Sequence, residues 1–174
     1  MSAVLQLNQF ILWNGIRPAD AIVAKKQTFK LVKHFIIYLG QDYWNRPVFM
    51  ANMNKRGVII LEPEEIVEFT NTYEPTEIQP FEGTELEREE AVERALEVQN
   101  EWNYNYVLRN CEHFKNWVQN GLPESIQTRH VSLGLALGGA VIGASSENKA
   151  LRTVAMLAAG AGLLAYLIEE FGEK

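Results

Sequence analysis

The sequence holds a single cysteine, Cys111, so no disulfide can form within the chain. It contains no Cys-x-x-Cys pair, no His-x-x-x-His pair, no phosphate loop and no Gly-x-Gly-x-x-Gly. Metal and nucleotide chemistry therefore find no support, and no cofactor is expected. A basic face is missing too. Lys and Arg number 16 against 22 Asp and Glu, a formal net charge of -6. Phosphate binding needs the opposite sign, so no nucleic-acid partner is expected. The opening MSAVLQLNQF lacks the basic start and small-residue cleavage site of an export signal. A reducing, cytoplasmic setting is expected.

What is present suits a folded protein. Of 174 residues, 47% are hydrophobic and 22% charged, and the aromatics suffice for a core without metal or disulfide. The acidic residues concentrate between Glu62 and Glu101 and read as a solvated surface. Charged, aromatic and β-branched residues mix over residues 1–125. Gly121-Leu122-Pro123 marks a break. From Val131 onward the chain is Ala, Gly, Leu and Val, interrupted once by Ser145-Ser146-Glu147-Asn148-Lys149. Two domains are expected, 1–125 and 126–174.

Within the first, residues 19–24 predict a short strand and 31–39 a stronger one. A period of two puts Val32, His34, Ile36 and Tyr38 on one face of that strand. Residues 47–53 predict the next strand, with Val48, Met50 and Asn52 on one face, and 58–61 a third. The short links imply an antiparallel meander. Pro63 opens a helical piece over 64–69, and a polar loop with Pro75 and Pro80 follows. Thr84 and Glu87 have the spacing of a capping box. The helix behind it carries Val92, Ala95, Leu96, Gln99 and Trp102 on one face. Residues 104–108 predict a return strand. A last helix covers 111–120, with Asn110 at its N-cap and Gly121 at C′.

Cys111 thus falls in the first turn of a helix, where free N–H groups and the positive dipole end favour a thiolate. A lone cysteine is either buried filler or a reactive thiol, and this position favours the second. Such a thiol still benefits from a base. His113, two positions on, points about 200° away around the axis and reads as structural. His130 lies at the mouth of the apolar tail and reads as a surface or membrane-interface residue. His34 sits mid-strand in an apolar run, where a polar residue needs a partner. It is the candidate base, with a satisfied core histidine as its other reading. Asn52, in a similar run on the next strand, is the candidate to orient the imidazole. A strand-end turn residue is its other reading.

The string Asn110-Cys111-Glu112-His113-Phe114 resembles the nucleophile box of the lecithin–retinol acyltransferase-like family. Lys33-His34-Phe35-Ile36-Ile37-Tyr38-Leu39-Gly40 resembles its histidine box. Both boxes stand in the family's order, and the resemblance covers about residues 18–121. It implies an α+β, circularly permuted papain-like domain with an antiparallel sheet packed on helices. It also implies acyl transfer or hydrolysis on phospholipids. The best-known members carry a second His on the strand after the first box. Here Asn52 stands at that place, after a longer turn.

The tail has apolar runs at 131–145 and 151–168 around a polar turn. Each is near the lower limit for a bilayer span, roughly 17 to 25 residues. Gly134 and Gly138, and Gly139 and Gly143, stand four apart, a spacing that lets helices approach closely. A membrane-associated apolar helical hairpin is expected, with a soluble buried hairpin as the alternative. Three functions remain open. They are acyl transfer from a phospholipid or acyl ester through Cys111, peptidase or amidase chemistry with the same dyad, and a non-enzymatic membrane- or partner-binding module.

Overall fold

A computed structural model describes residues 2–26, 29–105 and 109–171. The order is α1 (Ala3–Asn14), β1 (Ala21–Lys26), β2 (Phe29–Gln41), β3 (Pro47–Met53), β4 (Gly57–Leu61), α2 (Pro63–Thr72), β5 (Tyr73–Gln79), α3 (Glu85–Glu97), α4 (Cys111–Asn120), α5 (Ile126–Ser145) and α6 (Lys149–Phe171). The chain forms two compact units, divided between Pro123 and Glu124.

The first unit is α+β. Five antiparallel strands run in the order β4-β3-β2-β1-β5. Alternation along the strands separates two cores. Ile22, Ile36, Tyr38, Phe49 and Ala51 face Leu7 of α1 and Ile66 and Phe69 of α2. Ala21, Ile37, Met50 and Val58 face Ala91 and Ala95 of α3 and Phe114 and Val118 of α4. Burying this many large side chains, each worth about 1.5–3 kcal/mol, is what holds the helices on the sheet.

Three local readings need correction. Residues 73–79 are an edge strand on β1, not a loop. Pro75 is tolerated there because an edge strand has one side without ladder bonds, and the register shifts beside it. In α3 the buried residues are Arg88, Ala91 and Ala95, while Leu96 is exposed and Gln99 and Trp102 lie beyond the helix. The helix turns its Arg88 inward because Asp20, itself buried, accepts from the guanidinium at 2.9 Å. Helix α1 had no counterpart in the sequence reading, although Ser2 caps it and Gly15 ends it in the left-handed region. Residues 106–108 of the expected return strand lie outside the described residues. Asn105 and Arg109 on either side of them form an antiparallel bridge.

The second unit is the hairpin of α5 and α6. Small residues let the helices touch. A Cβ on Gly139 would meet the Ala155 carbonyl at 2.5 Å, and one on Gly162 would meet the Ala136 amide at 2.6 Å. Gly143 meets Met156, whereas Gly134 and Gly138 face open space, so only the second expected glycine pair serves this contact. Arg129 and Glu170 pair at 3.2 Å across the open end. Large apolar residues such as Leu137, Val141, Leu157 and Leu164 remain exposed. Among the described residues one helix, over Lys149–Ile168, is long and apolar enough to cross a membrane.

Candidate active site

Asn110 sets the start of α4. Its Oδ1 accepts from the backbone amides of Glu112 (2.9 Å) and His113 (3.1 Å). His113 Nδ1 accepts from the Asn110 amide at 3.3 Å, which closes a reciprocal cap. His113 is fully buried in that role. Four orphan amides crowd a helix start, and this cap satisfies three of them, those of Asn110, Glu112 and His113, without a charge.

The cap sets Cys111 against β2. In the register, β2 pairs with β3 from Ile37 to Gln41. Below Ile37 the start of α4 lies against β2. Cys111 packs with Val23 and Phe35, and its thiol donates to the Lys33 carbonyl at 3.5 Å. The Phe35 amide in turn bonds the sulfur. On the β3 side, Asn52 Nδ2 donates to the carbonyls of Arg109 (2.7 Å) and Asn110 (3.4 Å). The thiol thus lies against the β2 backbone on either side of His34, while Asn52 of β3 holds the carbonyls just before Cys111.

The His34 imidazole stands edge-on to Tyr73 at 4.4 Å and to Phe69 at 6.1 Å. These rings belong to the α1–α2 side of the sheet. Val23 and Phe35, which flank the thiol, belong to the other. Asn52 shares the α3–α4 side with Met50. The alternation predicted within each strand is present, but the Ile37–Met50 register places the His34 face of β2 and the Asn52 face of β3 on opposite sides. A one-residue change in pairing inverts such a relation, and no local pattern fixes it. The expected bond from the imidazole to Asn52 is therefore corrected. Asn52 Nδ2 holds the two carbonyls before α4, and its Oδ1 is buried without a hydrogen-bond partner among the described residues.

The thiolate expected at this helix start also needs revision. Burial, with a smaller push from the Glu112 carboxylate, raises the Cys111 thiol to about 11. The Phe35 amide and the helix-start amides pull the other way and do not win. A thiol taken from water into apolar surroundings loses more than the dipole returns. At pH 7 the thiolate fraction is then about one part in ten thousand. Alkylation by iodoacetamide should be slow at pH 7 and rise about tenfold per pH unit up to pH 10. A rate that levels off below pH 8 would show a stabilised thiolate instead.

Lys115 escaped the sequence reading. It stands one turn after Cys111, a spacing that shares a helix face. Its ammonium lies 5.6 Å from the centroid of the Phe35 ring that walls the thiol. Burial lowers its pKa, opposed by Glu112. Among the described residues no group of three His, Cys, Asp or Glu side chains could hold a metal ion.

Comparison with known families matches residues 14–124 to lecithin retinol acyltransferase. The chain belongs to that family. A comparison with curated proteins finds no match. The lecithin retinol acyltransferase match takes in β1 through α4 and ends before α5. It covers both strings that carried the resemblance. Members of this family are typically enzymes, and membership points generally to acyltransferase- or phospholipase-type activity.

Proposed function

We propose that this protein takes an acyl chain from a phospholipid through a thioester on Cys111, with His34 as the base, in a circularly permuted papain-like catalytic domain covering 1–125. The observation that carries this reading is the seat of the thiol, wedged at a helix start against the backbone on both sides of His34. A thiol kept protonated by burial needs a base within reach when it attacks. The resting imidazole stands on the other side of the sheet from Val23 and Phe35, so in the reaction it leaves Tyr73 and swings round the edge of β2 that has no β3 partner below Ile37 before it accepts the thiol proton. The S–C bond forms at the ester carbonyl, and the C–O bond breaks. The imidazolium returns the proton to the departing glycerol oxygen, which leaves as a lysophospholipid. Water or an amine then attacks the thioester and frees the thiol. Asn52 is a positioning residue that holds the Arg109–Asn110 carbonyls and so the sulfur. His34→Gln should lower acyl transfer by about 10²–10⁴, the usual contribution of a general base, while leaving the fold intact.

A second reading has one observation in its favour. A thiol held near 11 suits an inert side chain in a non-enzymatic member. Mixing the protein with phospholipid vesicles and weighing it intact distinguishes the two. An acyl-sized mass increase on Cys111 supports the enzyme.

The hairpin over 126–174 is proposed as a cytoplasmic membrane anchor. Its support is the exposed apolar length of α6 and the outward Leu and Val side chains of α5. Lys149 and Arg152 at the turn favour a hairpin seated from one side, since a charge at the bilayer centre costs about 2.5–3.5 kcal/mol on insertion scales. The full chain should float with liposomes through a density gradient. A clean aqueous monomer would return the hairpin to the soluble alternative.

A further inference from the structure

Among the described residues, four of the most exposed large side chains of the sheet-bearing unit lie at two neighbouring places. Leu12 and Trp13 at the end of α1 are 78% and 79% exposed, and Tyr43 and Trp44 at the β2–β3 tip are 91% and 69% exposed. The helix and the tip are tied together. Asn8, one turn before Leu12, donates from Nδ2 to the Asn45 carbonyl at 3.3 Å and accepts from Gln41 Nε2 at 3.1 Å.

The tip is built rigidly. Asp42 Oδ1 accepts from the amides of Trp44 and Arg46, both at 2.9 Å, and its Oδ2 accepts from Arg46 Nε at 2.7 Å. Asn45 sits in the left-handed region, at φ 56°. The Arg46 guanidinium lies 5.0 Å from the Trp44 ring centroid, and Tyr43 stands edge-on to Trp44 at 5.8 Å. A fixed loop thus holds two aromatic rings out into water, where apolar surface is costly.

The chemistry of these residues selects the partner. Tyr and Trp join an apolar ring to a polar tip and collect at the headgroup level of membranes. A protein partner is a poorer fit. Each aromatic side chain offers at most about 250 Å², so the rings fall short of the roughly 800 Å² per partner that a stable protein interface buries. A bilayer surface needs no such closed area. Arg46, held over Trp44, is ion-paired with Asp42 at 2.7 Å, so the tip carries no net charge to repel a headgroup layer and its rings make the contact.

We propose that Leu12, Trp13, Tyr43 and Trp44 form a second lipid contact, with the rings inserted at the boundary of headgroups and acyl chains. This rests on the proposed anchoring by α5 and α6, which brings the unit to a bilayer. The test uses the full chain on vesicles of phosphatidylcholine brominated in its acyl chains, which quench nearby tryptophan. Trp102 and Trp117 pack on each other, with ring centroids 6.0 Å apart, and serve as the internal reference. The wild-type chain should be quenched, and the Trp13→Phe/Trp44→Phe chain should lose most of that quenching while still floating. A floating chain with equal quenching in both forms overturns the patch and leaves the anchor standing. A chain that stays in the aqueous fraction overturns both.

Discussion

Cys111→Ser should abolish the proposed phospholipid turnover and leave the melting temperature nearly unchanged. The hydroxyl is a far weaker nucleophile than the sulfur, and the buried seat gives it no help in ionising. A loss on the order of 10³-fold or more is expected, read as lysophospholipid released from vesicles. Stability should move by about 1 kcal/mol or less, because the serine hydroxyl can also donate to the Lys33 carbonyl. The combination matters. A folded, inactive variant assigns chemistry to the sulfur, whereas an unfolded one would assign only packing. A variant that keeps the wild-type rate would move the nucleophile elsewhere in the chain.

Arg88→Ala should unfold the sheet-bearing unit at much lower denaturant. The Arg88 side chain is 7% exposed, and its guanidinium ties α3 to two other segments. It pairs with Asp20 at 2.9 Å, and it donates to the carbonyls of Pro18 and Phe81, the latter at 3.2 Å. Asp20 also accepts from the amides of Arg17 (2.8 Å) and Phe81 (2.9 Å). Removing the cation leaves a carboxylate buried beside the entrance to β1. Breaking such a pair from one side costs about 3–5 kcal/mol, a large fraction of a domain's stability. Chemical denaturation followed by circular dichroism measures it. Asp20→Asn/Arg88→Met, which removes both charges, should recover part of the loss. Equal destabilisation in the single and double variants would show that packing, not charge, is what Arg88 contributes.

Much of this was legible from local patterns. Asn110 and Gly121 bound α4 as their residue types suggest, because caps act over three or four residues. Thr84 and Glu87 likewise form the expected box at α3. The two strings around His34 and Cys111 led to the family. What escaped depends on distant partners. Tyr73 to Gln79 are polar and carry a proline, and they become a strand only because β1 offers an edge. Arg88 turns inward only because Asp20, 68 residues earlier, waits there. The relative faces of His34 and Asn52 depend on the β2–β3 register, which the longer turn between them conceals. The thiol followed the same pattern. Its helix position argued for ionisation, and its burial, visible only in three dimensions, argued harder against it.

The central claim is that the Cys111 sulfur carries the acyl group. Brief incubation of the full chain with phosphatidylcholine vesicles of one defined acyl chain, followed by acid quench and intact mass spectrometry, tests it most directly. The account predicts a mass increase equal to that acyl group less one hydrogen. Peptide mapping should place it on Cys111, hydroxylamine at neutral pH should remove it, and Cys111→Ser should never show it. Lysophospholipid accumulating from catalytic turnover, with no adduct at any time point and an undiminished rate in Cys111→Ser, would contradict it.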